Sequence, residues 1–116
     1  HILCAVATST FTNVAIGYLK NAGVLNCFAA IVGGDQVTKS KPDPEIFQLA
    51  MRALGKQTPE TCVVFEDSRN GLLAGASGGF PVIVVPDLFD PTLELPGLCY
   101  ARCARLDEAI DVIQNS

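Results

Sequence analysis

Two carboxylates set directly after an apolar run are the first chemistry this sequence offers. Cys62-Val63-Val64-Phe65 is followed without a spacer by Glu66, Asp67 and Ser68. A buried strand that ends in two acids carries hard oxygen ligands to the rim of a sheet, where they suit a magnesium ion or the surroundings of a phosphate. The same pair also reads as solvated charge at a turn. Two more polar groups stand at comparable places. Thr8-Ser9-Thr10 closes the apolar run Ile2-Leu3-Cys4-Ala5-Val6-Ala7, and hydroxyls between a strand and a helix act either as caps or as phosphate ligands. Lys41 precedes Pro42 just ahead of a helix. The proline stiffens the backbone there, so the ammonium can be aimed inward, although a lone lysine is otherwise a solvent residue.

The elements that must position these groups follow from periodicity. Ile2 to Ala7, Phe28 to Val32, Cys62 to Phe65 and Pro81 to Pro86 are continuous apolar runs, as expected of strands buried on both faces. Between them lie three helical patterns. The first carries Ala15, Tyr18, Leu19 and Ala22 and stops at Gly23. The second opens on Asp43 as N-cap with Pro44 in the first turn, shows a stripe of Phe47, Ala50, Met51 and Leu54, and stops at Gly55. The third starts from Ser68 as N-cap, with Gly71, Ala74 and Ala76 small enough to let it lie close to the sheet. Asp87 to Gly97 reads as a loop whose Leu88, Phe89, Leu93 and Leu95 hold it against the body. Leu106, Ala109, Ile110 and Ile113 then form a last amphipathic helix over one sheet face. This order predicts an α/β fold with a parallel sheet, right-handed crossovers and helices on both faces. Three strand-end loops would bring Thr8, Lys41 and Glu66-Asp67 to one rim.

Composition narrows the classes. A chain of 116 residues, 49% hydrophobic, suits one domain with an ample core. Its eight Lys and Arg are scattered singly in a net charge of −4, which speaks against nucleic acid and against an acidic membrane surface as partners. No apolar run approaches the length of a spanning helix. The five cysteines, Cys4, Cys27, Cys62, Cys99 and Cys103, are odd in number and lack Cys-x-x-Cys spacing, as expected of a reduced, cytoplasmic protein. Cys4 and Cys62 fall in apolar runs, where a free cysteine behaves as a small hydrophobe. Structural zinc is not expected, since the one histidine is His1, although Cys99 and Cys103 are four residues apart.

A hydroxyl, a lysine and an acidic pair in this order resemble the haloacid dehalogenase superfamily, most closely its β-phosphoglucomutase-like branch. Ala5-Val6-Ala7-Thr8-Ser9-Thr10 is similar to that branch's second motif. Ser40-Lys41-Pro42-Asp43-Pro44-Glu45-Ile46-Phe47 is similar to its third, and Val64-Phe65-Glu66-Asp67-Ser68-Arg69-Asn70-Gly71 to its fourth. The resemblance extends to Val84-Val85-Pro86-Asp87 and implies a Rossmann-like core. It implies that Thr8 and Ser9 hydrogen-bond phosphoryl oxygens, that Lys41 neutralises the phosphoryl group, and that Glu66 and Asp67 hold Mg²⁺. The substrate would be a small phosphate monoester, with a sugar phosphate favoured. Catalysis of this kind is largely positioning and charge stabilisation, which a hydroxyl, an ammonium and a metal can supply.

The chain departs from the family where the nucleophile should be. The first motif, Asp-x-Asp-x-[Thr/Val], is absent, and so is the helical cap inserted after it. Residues 1–116 therefore read as the C-terminal part of one core domain, expected to be inactive alone and to bind Mg²⁺ weakly or not at all. The competing reading is a non-catalytic α/β module that binds a partner chain or phosphate through the same rim. The resemblance also implies a strand order of 5-4-1-2-3 with the first, central strand missing, which would leave a gap between the Ile2–Val6 and Cys62–Phe65 strands. Three outcomes are open: the two strands pair directly, another chain fills the slot, or the N-terminal part of the same protein fills it.

Overall fold

The computed structural model describes residues 2–115. Within them the chain runs β1 (Ala5–Ala7), α1 (Thr12–Asn21), β2 (Ala30–Val32), α2 (Glu45–Ala53), β3 (Val64–Glu66), α3 (Arg69–Ser77), β4 (Val82–Val84), β5 (Ala101–Arg102) and α4 (Ala109–Gln114). α2 begins one residue later than expected, with Pro44 in the N-cap position, although Asp43 Oδ1 still accepts the Glu45 N–H at 3.0 Å, and Gly55 closes the helix at φ +75°. Its buried face is Ile46, Phe47, Ala50 and Met51, with Leu54 just past the last turn. α3 starts from Ser68, whose Oγ accepts the Gly71 N–H at 3.0 Å.

α1 departs from the expectation. None of the hydroxyls of Thr8, Ser9 and Thr10 caps it, and its N-cap is Phe11. The capping oxygen comes from the loop after β2, where Asp35 Oδ1 accepts the Thr12 N–H at 2.7 Å and the Thr12 hydroxyl at 2.8 Å. Those bonds hold the Asp35 carboxyl below its ordinary value, the Thr12 N–H contributing most. Of the expected apolar stripe only Ala15 is buried, while Tyr18 points to solvent.

All strand pairs are parallel, but they form two sheets, β1–β2 and β3–β4–β5. The third member of the larger sheet was not expected: Ala101 and Arg102 pair with Ile83 and Val84. Leu98-Cys99-Tyr100-Ala101 leads into it as a short apolar run, but Arg102 interrupts that run and the strand itself is only two residues long. β1 and β3 do not pair with each other. The Cys4 carbonyl accepts from Ala29 N–H at 2.8 Å and the Val64 N–H donates to the Pro81 carbonyl at 3.0 Å, so each strand bonds away from the other. Direct pairing, the first of the three outcomes, does not occur.

The two sheets nevertheless belong to one layer. Val82 and Val84 of β4, Val64 of β3 and Val32 of β2 share a single core with α2 and α3, and Ala5 and Ala7 of β1 pack against it. Ile83 points the other way and meets Cys103 and Ala109 under α4, which places helices on both faces. Several apolar expectations fail on this second side. β1 is only half-buried, Leu106 and Ile110 of the last helical segment are exposed, and Leu88 is fully exposed. Phe89 and Leu93 are exposed too, and of the expected anchors of the 87–97 loop only Leu95 packs against the core, joined by the buried Pro91. Cys4 is exposed, Cys62 is half-buried and packs against the main core as expected, and Cys103 is buried under α4.

Candidate active site

The C-terminal ends of β1 and β3 open onto one cleft of about 1040 Å³, whose walls include Thr8, Ser9, Lys41, Glu66 and Asp67. They arrive on three segments, Thr8 and Ser9 just beyond β1, Lys41 ahead of α2, and Glu66 and Asp67 at the end of β3, as parallel topology requires. Thr8 is the first residue beyond β1; its N–H donates to the Val32 carbonyl at 3.0 Å and its Oγ1 accepts the Thr10 N–H at 3.2 Å. Ser9 is exposed beside it.

Lys41 turns inward. Its Nζ lies 2.6 Å from Glu66 Oε2, with only 12% and 10% of the two side chains exposed. It also donates to the Ala7 carbonyl at 3.4 Å and sits 4.9 Å from the centre of the Phe47 ring. Glu45 fixes the loop that delivers it. The Glu45 carboxylate accepts from the Thr38 N–H at 3.0 Å, the Thr38 hydroxyl at 2.8 Å and the Lys39 N–H at 3.1 Å. These donors, Thr38 N–H first, keep the Glu45 carboxyl below its usual range.

Glu66 has both oxygens engaged, Oε2 by Lys41 and Oε1 by the Ser68 hydroxyl at 3.1 Å. Its carboxylate lies against Gly71, where a Cβ would overlap it. Gly71 thus serves the site, and Gly75, where a Cβ would meet Val82, is the glycine that lets α3 lie close to the sheet. Asp67 is exposed, and its carboxylate enters no hydrogen bond or ion pair among the described residues.

The chemical capacity follows from that geometry. Thr8 and Ser9 bring hydroxyls and Lys41 an ammonium to the walls of the same cleft, donors of the kind a phosphate oxyanion accepts. An oxygen-only donor pair suits Mg²⁺, which keeps several waters and takes few protein ligands. Asp67 offers a free carboxylate, while Glu66 must first exchange a partner. No group of three or more His, Cys, Asp or Glu able to hold a metal occurs among the described residues. Cys99 packs toward the α2–α3 core and Cys103 lies under α4, so they do not form half of a zinc site. His1 lies outside the described residues. No helix there is long and apolar enough to cross a membrane.

Sequence reasoning named the five residues but missed their supports. Ser68 appeared only as a cap, and its second bond, to Glu66, has no sequence signature. Phe47 looked like one more core residue, yet its ring borders the lysine. Arg69 and Glu94, paired at 3.2 Å, and the exposed Leu88 and Phe89 form the outer wall of the cleft.

Comparison with known proteins gives a consistent result. The family described as haloacid dehalogenase-like hydrolase matches residues 2–79. The bifunctional riboflavin kinase/FMN phosphatase of Arabidopsis thaliana is 42% identical over 82 residues, covering 71% of this chain and 21% of the relative. The phosphorylated carbohydrates phosphatase of Thermotoga maritima is 44% identical over 78 residues, covering 67% of this chain and 36% of the relative. A β-phosphoglucomutase-like protein of Thermotoga maritima superposes with a TM-score of 0.84 at 35% identity, over 98% of this chain and 53% of that one. The chain thus spans about a fifth to a third of the length of these two curated relatives.

Proposed function

The chain belongs to the haloacid dehalogenase-like hydrolases, and from that premise we propose that its cleft is the phosphate-binding part of the active site of a phosphoric monoester hydrolase or phosphomutase. The observation that carries this reading is the inward Lys41, 2.6 Å from Glu66 in a cleft that also presents Thr8 and Asp67. Thr8 and Ser9 orient the phosphoryl oxygens. Lys41 neutralises charge on them from a setting nine-tenths removed from water, where an ion pair counts for more than at the surface. Asp67, and Glu66 once it has exchanged a partner, would hold Mg²⁺, which supplies further neutralisation of phosphoryl charge when bound.

A sugar phosphate is the substrate class we favour, because a relative 44% identical to this chain is a phosphorylated carbohydrates phosphatase. Residues 1–116 hold no Asp-x-Asp motif. By themselves they are therefore expected to bind phosphate without turning over an ester, as no aspartate stands ready to form a covalent intermediate. That is the sense in which a binding module remains the second reading.

Titration of the protein with inorganic phosphate, followed by amide NMR, tests the assignment. Shifts should centre on Thr8, Ser9 and Lys41 and vanish in Lys41→Met. Magnesium-dependent hydrolysis of p-nitrophenyl phosphate by residues 1–116, abolished in Asp67→Ala, would contradict the expected inactivity. Phosphate shifts that ignore Lys41→Met would remove the site assignment.

A further inference from the structure

The cleft is far larger than a phosphate needs. At about 1040 Å³ it has the size of a site for a whole small molecule. Thr8, Ser9 and Lys41 line one part of its wall, while Arg69, Asp87, Leu88, Phe89 and Glu94 line another. Most of that second part comes from the segment after β4, where Leu88 is fully exposed and Phe89 is 47% exposed. A leucine standing wholly in water adds nothing to the fold through burial. The segment that holds it out is nevertheless pinned. Asp90 Oδ1 accepts the Thr92 N–H at 3.0 Å and the Thr92 hydroxyl at 2.6 Å, and Asp90 Oδ2 accepts from Arg102 Nε at 2.7 Å. Pro91 is fully buried, and Glu94 is tied to Arg69 of α3 at 3.2 Å. Two apolar side chains are thus presented to the cleft by a turn anchored immediately after them.

We infer that the segment 87–94 selects the alcohol part of the ester: it accepts a neutral ring, one face laid on Phe89 and Leu88, and turns away a leaving group that carries a second anionic charge. The inference rests on the phosphate reading, since a phosphoryl group held near Lys41 is what brings the ring to this wall. Charge supplies the second half of the argument. Among the described residues of this part of the wall Arg69 is the one cation, and it already meets Glu94. Asp87 enters no hydrogen bond or ion pair there. One guanidinium therefore stands against two carboxylates. A second phosphate or carboxylate would gain Arg69 only by displacing Glu94, which would remain beside it as a like charge. A neutral ring meets no such penalty. Its apolar face covers Phe89, and any hydroxyls it carries donate to the carboxylates of Asp87 and Glu94. A sugar ring has both features.

Amide NMR titrations of the protein with inorganic phosphate, phenyl phosphate and 2-phosphoglycolate test it. Phenyl phosphate adds a neutral ring to the phosphoryl group, and 2-phosphoglycolate adds a second anion. Phenyl phosphate should bind about tenfold more tightly than inorganic phosphate, the gain expected when one ring face is covered. 2-Phosphoglycolate should bind about threefold or more weakly than inorganic phosphate. In Phe89→Ala the preference for phenyl phosphate over phosphate should shrink to within about twofold. Leu88→Ser should reduce it as well, and because Leu88 is fully in water that variant leaves the packing of the protein untouched. Glu94→Gln should bring 2-phosphoglycolate level with phosphate. An equal preference in the parent and in both wall variants overturns the inference, as does 2-phosphoglycolate bound as tightly as phenyl phosphate. Phosphate bound with no preference for the ring overturns the inference alone. Failure of all three to bind removes the functional assignment and the inference with it.

Discussion

Val64 and Phe65 are neighbours in one strand, and their side chains meet opposite fates. Val64 points toward α2 and α3, into a core where Leu72, Ala74 and Val84 are wholly buried. Phe65 points to the other face, where α4 covers Ile83 but leaves Phe65, Leu106 and Ile110 partly in water. The sheet is finished on one side and open on the other. Apolar content alone does not distinguish them, because a continuous run such as Cys62 to Phe65 predicts burial on both faces of a strand whatever covers it. Burial is decided by which helices and strands are present, and here the second face lacks cover along the line of the slot.

The sharpest way to break this comparison is to truncate one residue on each face. Leu72→Ala on the closed face should lower the unfolding free energy by about 2–5 kcal/mol, since a fully buried leucine leaves a cavity that its neighbours fill only in part. Phe65→Ala on the open face should cost less than about 1 kcal/mol, since much of that ring is already hydrated. Urea denaturation of both variants measures the contrast. Equal losses would mean that the second face is packed as well as the first.

A smaller effect is expected at the rim where the two faces meet. Lys41→Met keeps much of the stem near the Phe47 ring but leaves a largely buried Glu66 carboxylate with only the Ser68 hydroxyl. The expected loss is about 1–3 kcal/mol, the cost of a buried group deprived of its partner. Thermal melts in phosphate buffer and in a non-coordinating buffer would sharpen the result. Phosphate should raise the midpoint of the parent protein and leave that of Lys41→Met unmoved. Ser68→Ala should cost about 1 kcal/mol through the lost helix cap, measured in the same melts.

The fold was legible wherever one side chain pattern answered to one neighbour. α2 and α3 were readable because caps, apolar stripes and glycine stops are local, and Asp43, Ser68 and Gly55 act where they stand in sequence. Thr8, Lys41, Glu66 and Asp67 were readable as a group because parallel topology sends strand ends to one rim. What escaped depended on distant partners. The cap of α1 comes from Asp35, 23 residues from Thr12, and β5 is two residues defined by their pairing with β4. The need for glycine at position 71 is set by the Glu66 carboxylate folding back, which no spacing rule encodes.

The smallest effect concerns acid. Asp35 and Asp90 sit in the connections after β2 and β4 and Glu45 opens α2, and each has its carboxyl held below the ordinary value. Thr12 does this for Asp35 and Thr38 for Glu45, while Asp90 is held by the Thr92 hydroxyl and then Arg102. A carboxyl whose folded-state pKa is depressed binds its proton more readily in the unfolded chain. Its contribution is complete above the unfolded value, declines as pH falls below it, and is gone once pH is under the folded value. Stability should therefore be level with respect to these groups above about pH 5 and fall as pH drops through the carboxylate range. Asp35 is exposed and Glu45 and Asp90 are half-buried at the surface, within reach of water and salt, so the fall should be shallow. Glu45→Gln gives the most local test, since Glu45 anchors the turn before Lys41 through Thr38 and Lys39. As pH is lowered through the carboxylate range in the parent protein, the Thr38 and Lys39 amides should lose protection before those of Val82 and Val84 on β4. In Glu45→Gln they should be weakly protected at every pH, with the acid limb of the stability curve correspondingly flatter. An unchanged limb in Glu45→Gln would mean that the loop carrying Lys41 is held by the core beneath it and not by this carboxylate.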